Sequence, residues 1–294
     1  MLNTLKKQSK TILAKFPAIE KYKIAKRYST ELALIKGVHK NPNNHTSILH
    51  FSVNKSATQY VKSIIKKCSA ATGMTNVGIH DYSFKSGFPY LDQLSTVEMQ
   101  KYQHIFKPRG YTYSVFGGMV EGIRNLDSYL IVLMVRDPRD VLVSGYYSVA
   151  HSHPEPALGT DKYDKFLKDR AFALKVSVDE YAIAQCDLVY EVYSRYIDLL
   201  LARHPNVHIT KYEDMIQNFE GWLQALTEYC DFNVNDDLRK ELVQTNDRLR
   251  PGTENIKKHI RKGKAGDYRE KLKVETIDYI ESKLSPILSE LHYL

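Results

Sequence analysis

Three separated clusters of cations and hydroxyls in this 294-residue chain have the composition of anion receptors. The first is Asn54-Lys55-Ser56-Ala57-Thr58-Gln59-Tyr60, which follows the short apolar run Ile48 to Val53 and opens an amphipathic stretch with Tyr60, Val61, Ile64 and Ile65 on one face. A tight turn from strand to helix aims backbone N–H groups, two hydroxyls and one ammonium at a single point, which makes a phosphate cradle. In the second cluster Arg136-Asp137-Pro138-Arg139-Asp140 leaves the apolar run Tyr129 to Val135, with Ser144 two helical turns on. Arg136 presents a planar fork suited to phosphate, and Ser144 can point back at the same anion. The third cluster, Arg261-Lys262-Gly263-Lys264-Ala265-Gly266-Asp267-Tyr268, sets adjacent cations beside glycines that let the backbone wrap a phosphate closely.

These clusters need a scaffold that brings strand ends together. Ile48–Val53, Tyr129–Val135 and Val207–Tyr212 have the length and apolar content of buried strands, and Thr75–His80 and Tyr111–Phe116 add two weaker candidates bounded by glycine. Helical patterns alternate with them. Asp137 and Pro138 supply an N-cap and a first-turn proline. Ser177-Val178-Asp179-Glu180 has capping-box spacing and predicts a long helix toward Arg203, stopped by Pro205. Further helices are expected over Phe219–Tyr229, Asp237–Gln244 and Arg269–Leu284. Alternating strands and helices imply an α/β fold with a parallel sheet, whose ligands sit at the carboxyl ends of the strands.

Composition narrows the partners. A net charge of +8 fits an anionic partner, which could be nucleic acid, a membrane surface or a small polyanion. The localised clusters favour the last of these and give no sign of nucleic-acid binding. Three cysteines, Cys68, Cys186 and Cys230, form neither a disulfide framework nor a zinc motif, so a reducing cytoplasm is expected. The apolar stretch Leu130–Val135 is far shorter than the roughly 20 residues that cross a bilayer. Met1–Arg27 spreads its apolar residues at helical spacing, without the massed core of a signal peptide. The expected organisation is a helical segment, 1–45, packed on a main domain, 46–294. His151-Ser152-His153 has no further ligands nearby in the sequence, and no metal is implied.

No GxxxxGK[ST] cradle of the kinase or ATPase type is present. Lys55-Ser56-Ala57-Thr58-Gln59-Tyr60 instead resembles the 5′-phosphosulfate loop of sulfotransferases, written K-S-G-T-T-W or R-S-G-T, with alanine at the glycine position and tyrosine at the aromatic one. Arg136-Asp137-Pro138-Arg139-Asp140, Ser144 and Tyr146-Tyr147 resemble that family's 3′-phosphate motif. Arg261-Lys262-Gly263 through Tyr268 resembles its R-K-G-x-x-G-D-W, and Tyr212-Glu213-Asp214-Met215 its Y-E-D-M. The resemblance implies a single α/β domain with a central parallel sheet flanked by helices, the P-loop-NTPase-like sulfotransferase fold. It also implies 3′-phosphoadenosine 5′-phosphosulfate (PAPS) as donor, 3′-phosphoadenosine 5′-phosphate (PAP) as product, and no metal. On the matching positions it assigns donor binding to Lys55, Ser56, Ala57, Thr58, Gln59, Tyr60, Arg136, Ser144, Tyr212, Arg261, Lys262 and Gly263, and the leaving-group cation to Lys55.

The general base is where the chain departs from the family. Small-molecule sulfotransferases carry a histidine in a K-T-H strand end, whereas Thr112-Tyr113-Ser114 stands here. Other branches use a carboxylate after the first helix, which turns attention to His80 and Asp81, with Glu121 as a third candidate. The segment His151 to Gly159 is expected to loop over an acceptor pocket. A small alcohol, phenol or amine is the expected acceptor; nothing fixes its identity or the oligomeric state. The competing functions are a phosphoryl-transfer enzyme of related fold and a nucleotide- or polyanion-binding protein without catalysis.

Overall fold

The computed structural model describes residues 17–156, 161–249 and 263–294. At its centre lies a five-stranded sheet of β1 (Ile48–Ser52), β2 (Thr75–Val77), β3 (Tyr111–Phe116), β4 (Leu130–Val135) and β5 (Val207–Lys211). All neighbours run parallel, in the order β2-β3-β1-β4-β5. Every residue of β1 and β3 is buried, as is β4 from Ile131 on, which explains why these strands are continuously apolar or tightly hydrogen bonded instead of alternating.

Helices cover both faces. Two short ones, α1 (Pro17–Arg27) and α2 (Ser29–Ile35), precede the sheet, and Glu31 of α2 accepts a hydrogen bond from the Gly78 N–H at 2.7 Å. After β1 comes α3 (Thr58–Ala71), whose Val61, Ile64, Ile65 and Cys68 pack against Ile48, Val132 and Met134. The opposite face of the sheet, with Leu49, Phe51, Leu133 and Val135, is covered by Ala182, Tyr193, Ile280 and Leu284 of two long helices described below. Two apolar layers therefore sandwich one sheet, an arrangement that hides both of its faces from water.

The expected strand Thr75–His80 is shorter than its apolar pattern indicated. It stops at Val77 because the Gly78 N–H is taken by Glu31, and α4 (Ile79–Ser86) begins at the next residue. The one-turn α5 (Thr96–Met99) and several 3₁₀ turns lead to β3. Asp137 then caps α6 (Pro138–Tyr147), accepting from the Arg139 N–H, with Pro138 at the first helical position as the sequence predicts. Next come α7 (Asp161–Lys175) and α8 (Val178–Tyr196), and α8 continues through a wider π turn to Leu201. After β5 follow α9 (Tyr212–Gln217), α10 (Phe219–Tyr229) and α11 (Asp236–Leu249). The helix expected over Arg269–Leu284 is broken into α12 (Tyr268–Lys271) and α13 (Val274–Glu290). Leu272 is extended at the break, and the Lys273 N–H that follows donates to Asp179 at 2.9 Å.

Cys68, Cys186 and Cys230 are buried as free thiols. No helix among the described residues is long and apolar enough to cross a membrane.

The capping box at Ser177 is complete: its hydroxyl accepts from the Glu180 N–H, and the Glu180 carboxylate accepts from the Ser177 N–H. Ser177→Ala is expected to lower stability by about 1 kcal/mol in urea unfolding without altering the far-ultraviolet circular dichroism of the native state.

Candidate active site

The sheet order puts β1 between β3 and β4, so the chain leaves β1 first toward one edge and later toward the other. The crevice beyond the carboxyl ends of such strands is the natural ligand position in an open α/β sheet. The turns that follow β1 and β4, with Lys55 and Arg136, lie at those strand ends.

The turn after β1 is wound unusually tightly. Lys55 and Ala57 both adopt left-handed backbone, with φ of 69° and 60°. Glycine is the residue most at ease in that region, which accounts for its place in the related loops at the position of Ala57. Ser56 is fully buried, and its hydroxyl donates to the Val53 carbonyl at 2.7 Å. The Ser52 hydroxyl lies 2.9 Å from both Ser56 Oγ and Thr58 Oγ1. These hydroxyls knit the turn from within, which leaves the first N–H groups of α3 as the donors available to an anion. Gln59 is exposed, while Tyr60 stacks on Phe219 with centroids 6.2 Å apart and donates to Asn246 at 3.2 Å. The Lys55 ammonium is half-buried, and burial, followed by the charge of Arg136, lowers its pKa to about 8.

Arg136 is fixed from several sides. Its Nη1 donates to the Lys55 carbonyl at 2.9 Å, and its Nη2 lies 3.4 Å from the Lys264 carbonyl and 3.5 Å from Asp140 Oδ2. The guanidinium lies over the Tyr212 ring, 4.2 Å from its centroid. Its own carbonyl accepts from the Tyr193 hydroxyl. Its Nε is buried without a partner, an orphaned donor at the meeting point of the clusters.

Asp140 joins the second cluster to the third. Almost fully buried, it accepts from the Gly266 N–H at 2.8 Å and the Tyr268 N–H at 3.0 Å. Burial raises its pKa, opposed by Arg136 and these two amides. Glu213 accepts from the Asp137 N–H at 2.9 Å and so ties α9 to the start of α6. Arg139 is clasped by Asp137 and Glu281, donates to the Tyr293 carbonyl at 2.8 Å and lies over the Tyr268 ring. Ser144 is half-buried one turn beyond Asp140, on the same face of α6. Arg261 and Lys262 lie outside the described residues, but Gly263 follows them with φ of 63° and the Lys264 carbonyl reaches Arg136. Lys55, Arg136, Tyr212 and Lys264 therefore come together.

The predicted base candidates are more dispersed. Asp81 is ion-paired with Lys62. Glu121 is paired with Arg195 at 2.7 Å. His80 packs edge-on to Tyr90, 4.9 Å between centroids, and lies beside Gly117 at the end of β3. Ser114, in the slot of the family histidine, is bonded at 2.8 Å to His50 Nδ1 on the adjacent strand. His50 escaped the sequence reading because it sits inside an apolar strand. Burial, then the nearby charge of Lys62, lowers its pKa to about 3, which makes it a poor proton acceptor. The structural parts of Asp140, Glu213 and Tyr193 were also not legible, although Asp140 and Glu213 stand inside recognised motifs. The expected loop His151–Gly159 is described only through Pro156; its remaining residues, 157–159, lie outside the described part.

Because Asp140 is buried and faces a buried cation, its removal leaves Arg136 without charge compensation. Asp140→Ala is expected to destabilise the protein by about 3–5 kcal/mol, read from urea unfolding.

Among curated proteins, none matches the chain. Similar solved structures include mouse sulfotransferase SULT7A1 complexed with PAP, 15% identical over 87% of this chain and 89% of that one, with a TM-score of 0.48. Retinol dehydratase in a complex with retinol and PAP is 14% identical over 88% of this chain and 86% of that one, with a TM-score of 0.47. The model of the family described as "Sulfotransferase domain" matches residues 46–285. That match takes in every cluster described above, and the chain belongs to the sulfotransferase family.

Proposed function

We propose that this protein transfers a sulfonate group from PAPS to a hydroxyl or amine of a small-molecule acceptor, by in-line displacement at sulfur. The observation that carries this proposal is the juxtaposition of Lys55 with Arg136. Two cations side by side, one with its pKa depressed and the other with an orphaned buried Nε, suit a bound anion. PAPS fits because it bears phosphate at both ends of one ribose, while the cations come from two different strand ends.

In this assignment Lys55 and the amides opening α3 hold the 5′ end. Arg136, Ser144 and the segment Arg261-Lys262-Gly263 hold the 3′-phosphate, and Tyr212 backs the Arg136 guanidinium with its ring. The bound nucleotide supplies an activated sulfonate with a phosphate leaving group. Lys55 is placed to meet the charge that grows on that leaving group, and the fixed dipoles of the loop add to its field without reorganising. Ser56, Thr58 and Ser52 serve by keeping the turn wound. Residues 17–45 are assigned as a helical addition packed on the catalytic domain through Glu31. A cytoplasmic setting accords with three buried free thiols.

Calorimetric titration separates this function from its rivals: PAP is expected to bind at least about tenfold tighter than ATP or adenosine 5′-phosphate, a difference of roughly 1.4 kcal/mol. Equal binding of adenosine 5′-phosphate would remove the 3′-phosphate site. Lys55→Ala should lower kcat with modest change in donor affinity, whereas Arg136→Ala should chiefly weaken the donor.

A pH dependence follows from the depressed Lys55 pKa. The free protein loses the Lys55 proton as pH rises through about 8, while a bound anion favours the protonated form. PAP affinity should be higher below that pH and fall above it to a plateau set by the affinity of Lys55→Ala, with proton uptake on binding. Lys55→Arg, which stays charged throughout, should flatten the profile.

A further inference from the structure

Among the described residues, two buried polar atoms close to the end of β3, Asp92 Oδ1 and the Tyr196 hydroxyl, have no hydrogen-bond partner. Asp92 sits in a 3₁₀ turn, Leu91–Gln93, and Tyr196 closes α8. Both reach the end of β3, Asp92 against Gly118 and Tyr196 through Phe51 and Phe116, and the charge of Asp92 adds to burial in raising the Tyr196 pKa while Arg195 opposes it. Their position is set by glycines. A Cβ on Gly118 would lie 2.6 Å from Asp92 Oδ2 and 3.1 Å from the Asp92 Cβ, so the carboxylate occupies space that any side chain there would claim. Gly117 leaves similar room for His80, whose Cε1 would be 3.6 Å from a Cβ at that position. Both glycines follow β3, and β3 pairs with β1, whose end carries the Lys55 turn. Tyr196 is joined to that strand through Phe51, with centroids 6.2 Å apart, and Phe51 meets Phe116 of β3 at 5.3 Å.

An unpartnered carboxylate oxygen accepts hydrogen bonds, and a phenol can donate one. Left apart, each carries the penalty of a buried polar group. A group that donates to one and accepts from the other satisfies both. A neutral hydroxyl does this, whereas an ammonium has no lone pair for the phenol. The surrounding Phe51, Phe116, Tyr90 and Tyr196 suit a ring or hydrocarbon body behind that hydroxyl.

We propose that Asp92 and Tyr196 grip the acceptor as an alcohol or phenol hydroxyl, and that Asp92 is the catalytic base missing from the β3 histidine position. The proposal rests on the sulfonate-transfer function above. Asp92 takes the hydroxyl proton as the hydroxyl oxygen forms its bond to sulfur. The bond from sulfur to the 5′-phosphate oxygen breaks, and its electron pair leaves on that phosphate. Tyr196 donates to the attacking oxygen and holds its lone pair in line. Glu121 and Arg195, paired with each other beside this site, balance one another's charge.

The test uses the full chain with 2-naphthol, 2-naphthylmethylamine, an ammonium at neutral pH, and 2-methoxynaphthalene as probes. With PAP present, naphthol fluorescence should report binding about tenfold tighter than the methyl ether, which has no proton for Asp92. With PAPS, naphthol should be sulfonated in preference to the amine. Asp92→Asn should lower kcat by about a hundredfold or more with KM for the naphthol little changed. Tyr196→Phe should act mainly on KM, and Gly118→Ala, by displacing the carboxylate, should resemble Asp92→Asn. All three should bind PAP as the wild type does. Equal binding of naphthol and its ether, no binding of either, or wild-type kcat in Asp92→Asn overturns the proposal while PAP binding to the wild type leaves the donor assignment standing. Failure of the wild type to bind PAP overturns both.

Discussion

Two positive charges held against one another in a poorly solvated crevice are the constraint around which this molecule is arranged. Like charges repel more strongly as the surrounding dielectric falls. The fold therefore has to hold Arg136 in place by other means. Tyr212 gives its guanidinium an aromatic face, two carbonyls accept from its Nη atoms, and Asp140 supplies a buried counter-charge. Further supports act through the backbone, since Tyr193 holds the Arg136 carbonyl and Glu213 the next amide. Contributions from α6, α8, α9 and the segment before α12 meet at one side chain. Lys55, by contrast, is held mainly through the winding of its own turn, where three hydroxyls replace the external partners.

The parts of this arrangement that were readable in the sequence are those governed by local rules. An uninterrupted apolar run has few alternatives to a central strand, so β1 and β4 were evident, and so were the N-caps at Asp137 and Ser177. Residues 75–80 were harder, because the event that ends β2 is a hydrogen bond from the Gly78 N–H to Glu31, 47 positions earlier in the chain. The break between α12 and α13 has the same origin, in an acceptor on Asp179, 94 positions away. Local patterning carries no trace of such partners.

The donor side was legible for the further reason that its cations are clustered at element junctions, where short motifs preserve spacing. Nothing comparable marks the acceptor side. Asp92 stands among ordinary loop residues, and His50 is hidden inside an apolar strand. Their neighbours, Gly118 and Ser114, are 26 and 64 positions away by simple numbering and meet them only through the β1–β3 pairing and the loops that follow. The family's usual histidine is absent from Ser114, and the sequence alone offered carboxylates that the fold has already paired, Asp81 with Lys62 and Glu121 with Arg195.

The clasp on Arg139 bears on how the protein is made. One of its acceptors, the carbonyl of Tyr293, is 154 positions downstream. At ribosomal speeds of about 5–20 residues per second, roughly 8–30 seconds separate the emergence of the two partners. For that interval the nascent chain carries the basic junction before its last brace exists, so assembly of the crevice is a late event of biosynthesis, well after the sheet has the strands it needs to form.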